Sequence, residues 1–346
     1  MIPATSGGRI ASERDGMPRE HVALPLPAIR WLTPLIVLLA LAVAAVAAAA
    51  VWAGSAQTWS AITSIGLLAF VAGTLVASTS YAFRFARWQW LLWLLGHRLP
   101  AGFSARVYLG GLALSPTPGK VGETMRSALL LPHGVPLGDS LAAFFADRLS
   151  DVIGVAALAA LVAAAGGSRQ PVFETVAALT FATALAAAAL LRGGRLQPLR
   201  FRWRQAARGR PWLAALAAPA RAWAGLWSAP RSVLFAAVAA AAFGIQGLVF
   251  GAFVQAVAPQ IGLLTCVAIF SSATLIGAAS MIPGGLGAME AALAWQLTER
   301  GVAWPQALAA VVATRAATLW CGTALGALML ASLASSAAPA ADERAS

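Results

Sequence analysis

Ser115-Pro-Thr-Pro-Gly-Lys-Val-Gly-Glu123, SPTPGKVGE, interrupts an apolar run with two prolines, two glycines and the only lysine in the chain. Proline lacks a backbone donor, and glycine admits angles that a helix cannot use. A continuous helix through this stretch is therefore excluded. The sequence predicts one apolar piece over 103–114, a second over 119–131, and a break between them. At membrane depth such non-helical backbone survives only where protein buries it or where it lines a wet cavity.

The surrounding composition says that membrane depth is the relevant setting. Of 346 residues, 60% are hydrophobic and only 10% are charged. Mean hydropathy is +0.78. A soluble domain would carry about 25% charged residues. Several runs reach the roughly 20 residues that a helix needs to cross the hydrocarbon core. The fold class expected is all-α, a polytopic transmembrane helix bundle. The formal net charge of +12 comes from arginines in short loops, a pattern of topology marking and contact with anionic lipid. No basic stripe with interleaved aromatics offers a nucleic-acid groove. Cys266 and Cys321 lie in apolar stretches, and His21, His97 and His133 are scattered, so neither a disulfide framework nor a metal site is expected. Residues 1–29 and 334–346 read as disordered cytoplasmic tails.

Along the chain, 31–53 reads as a first span and 61–83 as a return toward Arg84, Arg87 and Arg98 on the cytoplasmic side. RFARWQWLLWLLGHR, with Trp88, Trp90 and Trp93, suits either the headgroup layer or a helix packed inside the bundle. Spans follow at 139–165 and 172–191. The loop 192–210 holds seven arginines, which fixes it as cytoplasmic by the positive-inside rule. Residues 211–227 read as surface-lying, 232–256 as a span, 262–280 and 285–299 as another interrupted pair, and 304–333 as the closing span. With this orientation, 103–131 enters and leaves on the cytoplasmic side as a re-entrant hairpin, and 262–299 does so from outside. Hydropathy alone also allows these pieces to be full spans.

The second interruption, Ser280 to Glu290, reads SMIPGGLGAME. Pro118-Gly119-x-x-Gly122 in the first matches Pro283-Gly284-x-x-Gly287 in the second. Glu123 and Glu290 follow the two motifs, and Arg148 and Arg315 lie in the apolar helix beyond each. Two halves, about 61–191 and 232–333, thus repeat the same order with opposed orientation. Matching broken segments in inverted repeats mark the substrate site of many transporters. Gly285 stands where the first motif has Lys120, so the halves are chemically unequal. Helices restarting after each break point positive dipole ends at the cavity between them, which favours anions such as phosphate.

Intramembrane charges mark substrate or ion pathways, or pair structurally. The set here is Lys120, Glu123, Arg126, Asp147, Arg148, Asp151, Glu290 and Arg315. Asp147 and Asp151 share a helix face, and Arg148 reaches Asp151 at i, i+3. Lys120, Arg126 and Arg315 fit anion contact. Glu290 is expected to pair with Arg315. Proton relay through Asp147 and Asp151 and purely structural pairing both stay open.

These residues also carry a resemblance. RFARWQWLL, SPTPGKVGETMRSALL, ADRLSDVIGV and SMIPGGLGAMEAAL, in this order, resemble the lysylphosphatidylglycerol synthase transmembrane region family, also called flippase-like domain proteins. The likeness covers about residues 30–333. In the bifunctional multiple peptide resistance factor, this region resembles the part that moves aminoacylated phospholipid between leaflets, followed by a soluble synthase domain. No such domain is expected after the last span, so the resemblance implies translocation without synthesis. Stand-alone relatives are linked to other lipids, including hopanoids and polyprenyl-linked sugars.

The reading is then a multi-pass protein of the bacterial inner membrane, a flippase- or scramblase-like lipid translocase rather than an enzyme. Its partners are membrane lipids with an anionic or phosphate-bearing headgroup, and a homodimer is compatible with it. No nucleotide-binding motif and no cofactor are expected. The expected substrate-binding set is Pro118, Gly119, Lys120, Gly122, Glu123, Arg126, Asp147, Arg148, Asp151, Pro283, Gly284, Gly285, Gly287, Glu290 and Arg315. The rivals are a membrane-embedded enzyme and an accessory protein of lipid or polyprenyl-glycan synthesis.

Overall fold

Helix length separates the elements of this molecule into two kinds. The computed structural model describes residues 55–115, 125–165, 222–280 and 282–335, and every regular element among them is helical. The first kind is long. Leu67–Leu94 (α2) has 28 residues and Ala229–Val257 (α6) has 29. At about 1.5 Å per residue, each exceeds the roughly 30 Å hydrocarbon core. Trp304–Arg315 (α9) continues through a π turn, Ala316–Trp320, into Cys321–Ser335 (α10). Among the described residues, three stretches, Leu67–Leu94, Pro230–Val257 and Trp304–Leu333, are long and apolar enough to span a membrane. Leu137–Ala164 (α5) matches α2 in length but includes Asp139, Asp147, Arg148 and Asp151.

The second kind is short. Ser55–Ile65 (α1) precedes α2, and Ala101–Gly110 (α3) ends in a 3-10 turn, Gly111–Leu114. Met125–Leu130 (α4) has six residues. At about 1.5 Å per residue, neither α3 nor α4 reaches across the hydrocarbon core. Leu263–Ala279 (α7) and Ala288–Thr298 (α8) flank the second interruption. The expected pieces 262–280 and 285–299 thus appear with the break where the glycines stand.

That break needs its glycines. Gly284, Gly285 and Gly287 have φ of +60°, +66° and +83°, the left-handed region that costs other residues roughly 1–2 kcal/mol. A Cβ on Gly285 would also stand 3.3 Å from the Gly277 Cα. The chain therefore turns back tightly enough for α8 to lie against α7.

α6 is the central post, packed on α2, α5, α7 and α9. Gly154 of α5 lets α6 approach so closely that an added Cβ would meet the Ala239 Cβ at 2.4 Å and the Ala236 carbonyl at 2.7 Å. Small residues at a crossing give membrane helices dispersion contact where lipid offers no hydrophobic driving force. One apolar cluster includes Val155, Phe250, Phe270, Leu293 and Val311. Another includes Trp88, Tyr108, Leu130 and Phe235. Helical hydroxyls are satisfied locally. Ser150, Thr274, Thr314 and Thr318 each donate to the carbonyl four residues back.

Several expectations fall outside the described residues: the span 31–53, the tip of the first interruption at 116–124, the span 172–191, the arginine loop 192–210 and both tails. One expectation is corrected. Arg84 and Arg87 are not exposed at the end of a span, because α2 runs on to Leu94 and they are buried against α5. Arg84 is 6% exposed, Arg87 1% and Trp88 0%. Carboxylates on α5 make that burial tolerable, so the alternative of a helix packed inside the bundle holds.

Candidate functional site

The RFAR segment of α2 and the DRLSD segment of α5 face one another. Arginines at i, i+3 on one helix and aspartates at i, i+4 on the other each occupy a single face. The Arg87 Nε donates to Asp147 Oδ1 at 2.8 Å, and its Nη2 lies 2.5 Å from Asp151 Oδ1. Arg84 donates to Asp151 Oδ2 at 3.0 Å. Arg148 reaches Asp147 Oδ2 at 2.6 Å and Asp151 at 3.2 Å. Each carboxylate therefore faces at least two guanidinium groups. Such pairing repays the desolvation of buried charge only when hydrogen bonds are this well formed.

Beside this network, Arg126 of α4 is 1% exposed. Its guanidinium lies 4.3 Å from the Tyr108 ring centroid and 5.4 Å from that of Trp88. The planar cation stacks in an aromatic box. The floor is Gly111, where any Cβ would strike the Arg126 Nε at 2.1 Å. Arg126 is thereby built into the packing of α3 and α4 against α2.

The second charged group lies on α8, α9 and the glycine break between α7 and α8. The Arg315 Nε donates to Glu290 Oε1 at 2.7 Å, and its Nη2 donates to the Gly284 carbonyl at 2.8 Å. Its Nη1 lies 3.3 Å from the Met289 Sδ. One side chain thus holds α8, α9 and the glycine break together. The expected pairing of Glu290 with Arg315 is present.

Both groups front a single cavity of about 300 Å³. Arg84, Arg148 and Asp151 contribute from one side; Gly284, Gly285 and Arg315 contribute from the other. Phe243, Gln246, Phe270 and Thr274 of α6 and α7 form a wall, and Thr318, Gly322 and Thr323 another. Tyr81 also lines it and donates its hydroxyl to the Thr318 carbonyl. A mostly apolar cavity with a few convergent polar groups has the make-up of a ligand site.

Of the expected site residues, Arg148, Asp151, Gly284, Gly285 and Arg315 line this cavity. Asp147 and Glu290 stand one layer behind, each gripping an arginine that does. Arg126 is in its aromatic box and Gly287 is not among the lining residues. Pro118, Gly119, Lys120, Gly122 and Glu123 lie outside the described residues, as does the side chain of Pro283. Sequence reasoning missed Arg84, Arg87, Tyr81 and Gln246. A signal for the arginines existed, since RFAR has the helical spacing that complements DRLSD. For Tyr81 and Gln246 no spacing in the chain gave notice.

A family model for the lysylphosphatidylglycerol synthase TM region matches residues 37–326, a span that includes both charged groups and the cavity. The chain belongs to that family. No curated protein matches it. As a member of the lysylphosphatidylglycerol synthase TM region family, and with several apolar helices of spanning length, it is a membrane protein.

Proposed function

We propose that this chain moves a polar-headed lipid between the two leaflets of a bacterial inner membrane, without converting it chemically. The observation that supports this reading is the cavity, with arginines entering from α2, α5 and α9. A headgroup would occupy the cavity while the acyl chains stay in lipid. The glycine break at Gly284, Gly285 and Gly287 would serve as a gate to that cavity. Asp147 and Asp151 serve to hold the arginines in place, since each carboxylate bridges at least two guanidinium groups.

Reconstitution tests it. Purified protein in vesicles is expected to move fluorescent phospholipid into the opposite leaflet faster than protein-free vesicles do. Equal rates in both, across anionic, zwitterionic and cationic lipids, would refute it.

A further inference from the structure

One polar side chain on the cavity wall stands alone on an apolar helix. Gln246 is the only hydrogen-bonding side chain of α6 between Ser232 and Gln255. It is 7% exposed, on the helix that packs against α2, α5, α7 and α9. A buried amide costs free energy for each hydrogen bond it fails to make. An apolar residue of similar size would carry no such cost there.

Only one end of Gln246 is satisfied. Its Nε2 donates to the Ser80 Oγ of α2 at 2.9 Å. Ser80 is itself fully buried, so the amide is held from behind. The other end of the amide has no hydrogen-bond partner among the described residues. It is not among the atoms sealed in the interior, and the side chain lines the cavity. Ser80 can donate as well as accept, so either the oxygen or the nitrogen of the amide can be the one presented. Phe243 and Phe270, on the same wall, offer no hydrogen bond.

We infer that Gln246 is a specificity-determining residue of the cavity, and that it reads a hydroxyl group on the headgroup of the lipid. The inference rests on the proposed lipid-moving role and deepens it. A hydroxyl both donates and accepts, so it satisfies whichever end of the amide faces it. A headgroup without that hydroxyl leaves the amide unpaired away from water. A site built to hydrogen-bond a hydroxyl rejects the analogue lacking it more strongly than an apolar pocket discriminates by size. This discrimination is independent of the charges in the cavity, because a hydroxyl and a hydrogen in its place are equally neutral. A Gln246–Ser80 bond that merely joined α6 to α2 would leave the choice between two such lipids unchanged.

The test uses the full chain in neutral detergent, with bound lipid counted by native mass spectrometry. Phosphatidylglycerol and phosphatidylpropanol with matched acyl chains carry the same charge and differ only in the headgroup hydroxyls. Soluble glycerol phosphate is the third probe. Phosphatidylglycerol is expected to bind about tenfold tighter than phosphatidylpropanol. Gln246→Leu is expected to remove that preference. Because this variant strands Ser80, Ser80→Ala with Gln246→Leu takes away both partners together, a change that buried pairs tolerate. The double variant should bind the two lipids equally. Equal affinity of the parent protein for the two lipids overturns the inference, and so does a preference kept by the double variant. Glycerol phosphate binding as tightly as phosphatidylglycerol overturns the lipid assignment. The same lipids in vesicles separate this inference from the broader proposal. Selective binding with no movement of either lipid refutes translocation alone, whereas equal movement of both refutes the selectivity alone.

Discussion

The Arg87 guanidinium and the Asp147 carboxylate meet at 2.6 Å with neither side chain exposed at all. Breaking a buried pair from one side costs about 3–5 kcal/mol where the other charge is left stranded. Arg87 keeps Asp151 as a partner, so Asp147→Ala is expected to lower stability by less than that. Replacing both partners with apolar residues, Arg87→Met with Asp147→Leu, is expected to recover much of the loss. A double-mutant cycle on unfolding in mixed detergent micelles measures the coupling. A coupling energy near zero would show that the contact contributes nothing.

Arg315 uses three donors on three different partners, so charge alone does not replace it. Arg315→Lys keeps the positive charge but loses the planar fork that reaches both Glu290 and the Gly284 carbonyl. Lipid movement in vesicles is expected to fall about tenfold in this variant, a barrier change of about 1.4 kcal/mol. Movement at the parental rate would mean that the charge suffices.

The approach of α5 to α6 depends on a hydrogen atom at position 154. Gly154→Leu puts a side chain where the Ala236 carbonyl and the Ala239 methyl already stand. Overpacking of this kind costs about 1–3 kcal/mol, and here backbone leaves little room to yield. The folded fraction after size-exclusion chromatography is the readout, and unchanged yield and melting temperature would contradict the contact.

Gly285→Ala tests the second interruption. The substitution imposes about 1–2 kcal/mol of left-handed strain and presses on Gly277. Its melting temperature is expected to fall, with Gly262→Ala, where the nearest side-chain atom lies at 4.0 Å, as the unaffected comparison. Equal melting temperatures would remove the case for a tight turn there.

Much of this architecture could be read before any coordinates. Proline and glycine announce a broken helix by chemistry alone, so the pair 262–280 and 285–299 was visible, as was the long helix near 139–165. Glu290 and Arg315 announced each other because lone charges in apolar helices need partners. Arg84 and Arg87 were misplaced for the opposite reason. Next to tryptophans at the end of an apolar run, arginine serves equally well as an interfacial anchor or as a buried partner. Only the distance to Asp147 and Asp151, set by how α2 and α5 pack, decides between the two. The box around Arg126 was illegible for the same cause, because Trp88, Tyr108 and Gly111 come from elements that only tertiary packing brings together.

The π turn at Ala316–Trp320 has a consequence for how the cavity can change. It holds one more residue per turn than α-helix does, and it begins one residue after Arg315. Rewinding it as α-helix would rotate α10 by about 100° and advance it by about 1.5 Å relative to α9. Gly322 and Thr323 would swing with it, while Arg315 kept its hold on the glycine break. Tyr81, one helical turn before Arg84, is bonded within that same loosened coil through the Thr318 carbonyl. A change of winding in these five residues would therefore move the wall formed by Gly322 and Thr323 relative to the helix that carries Arg84.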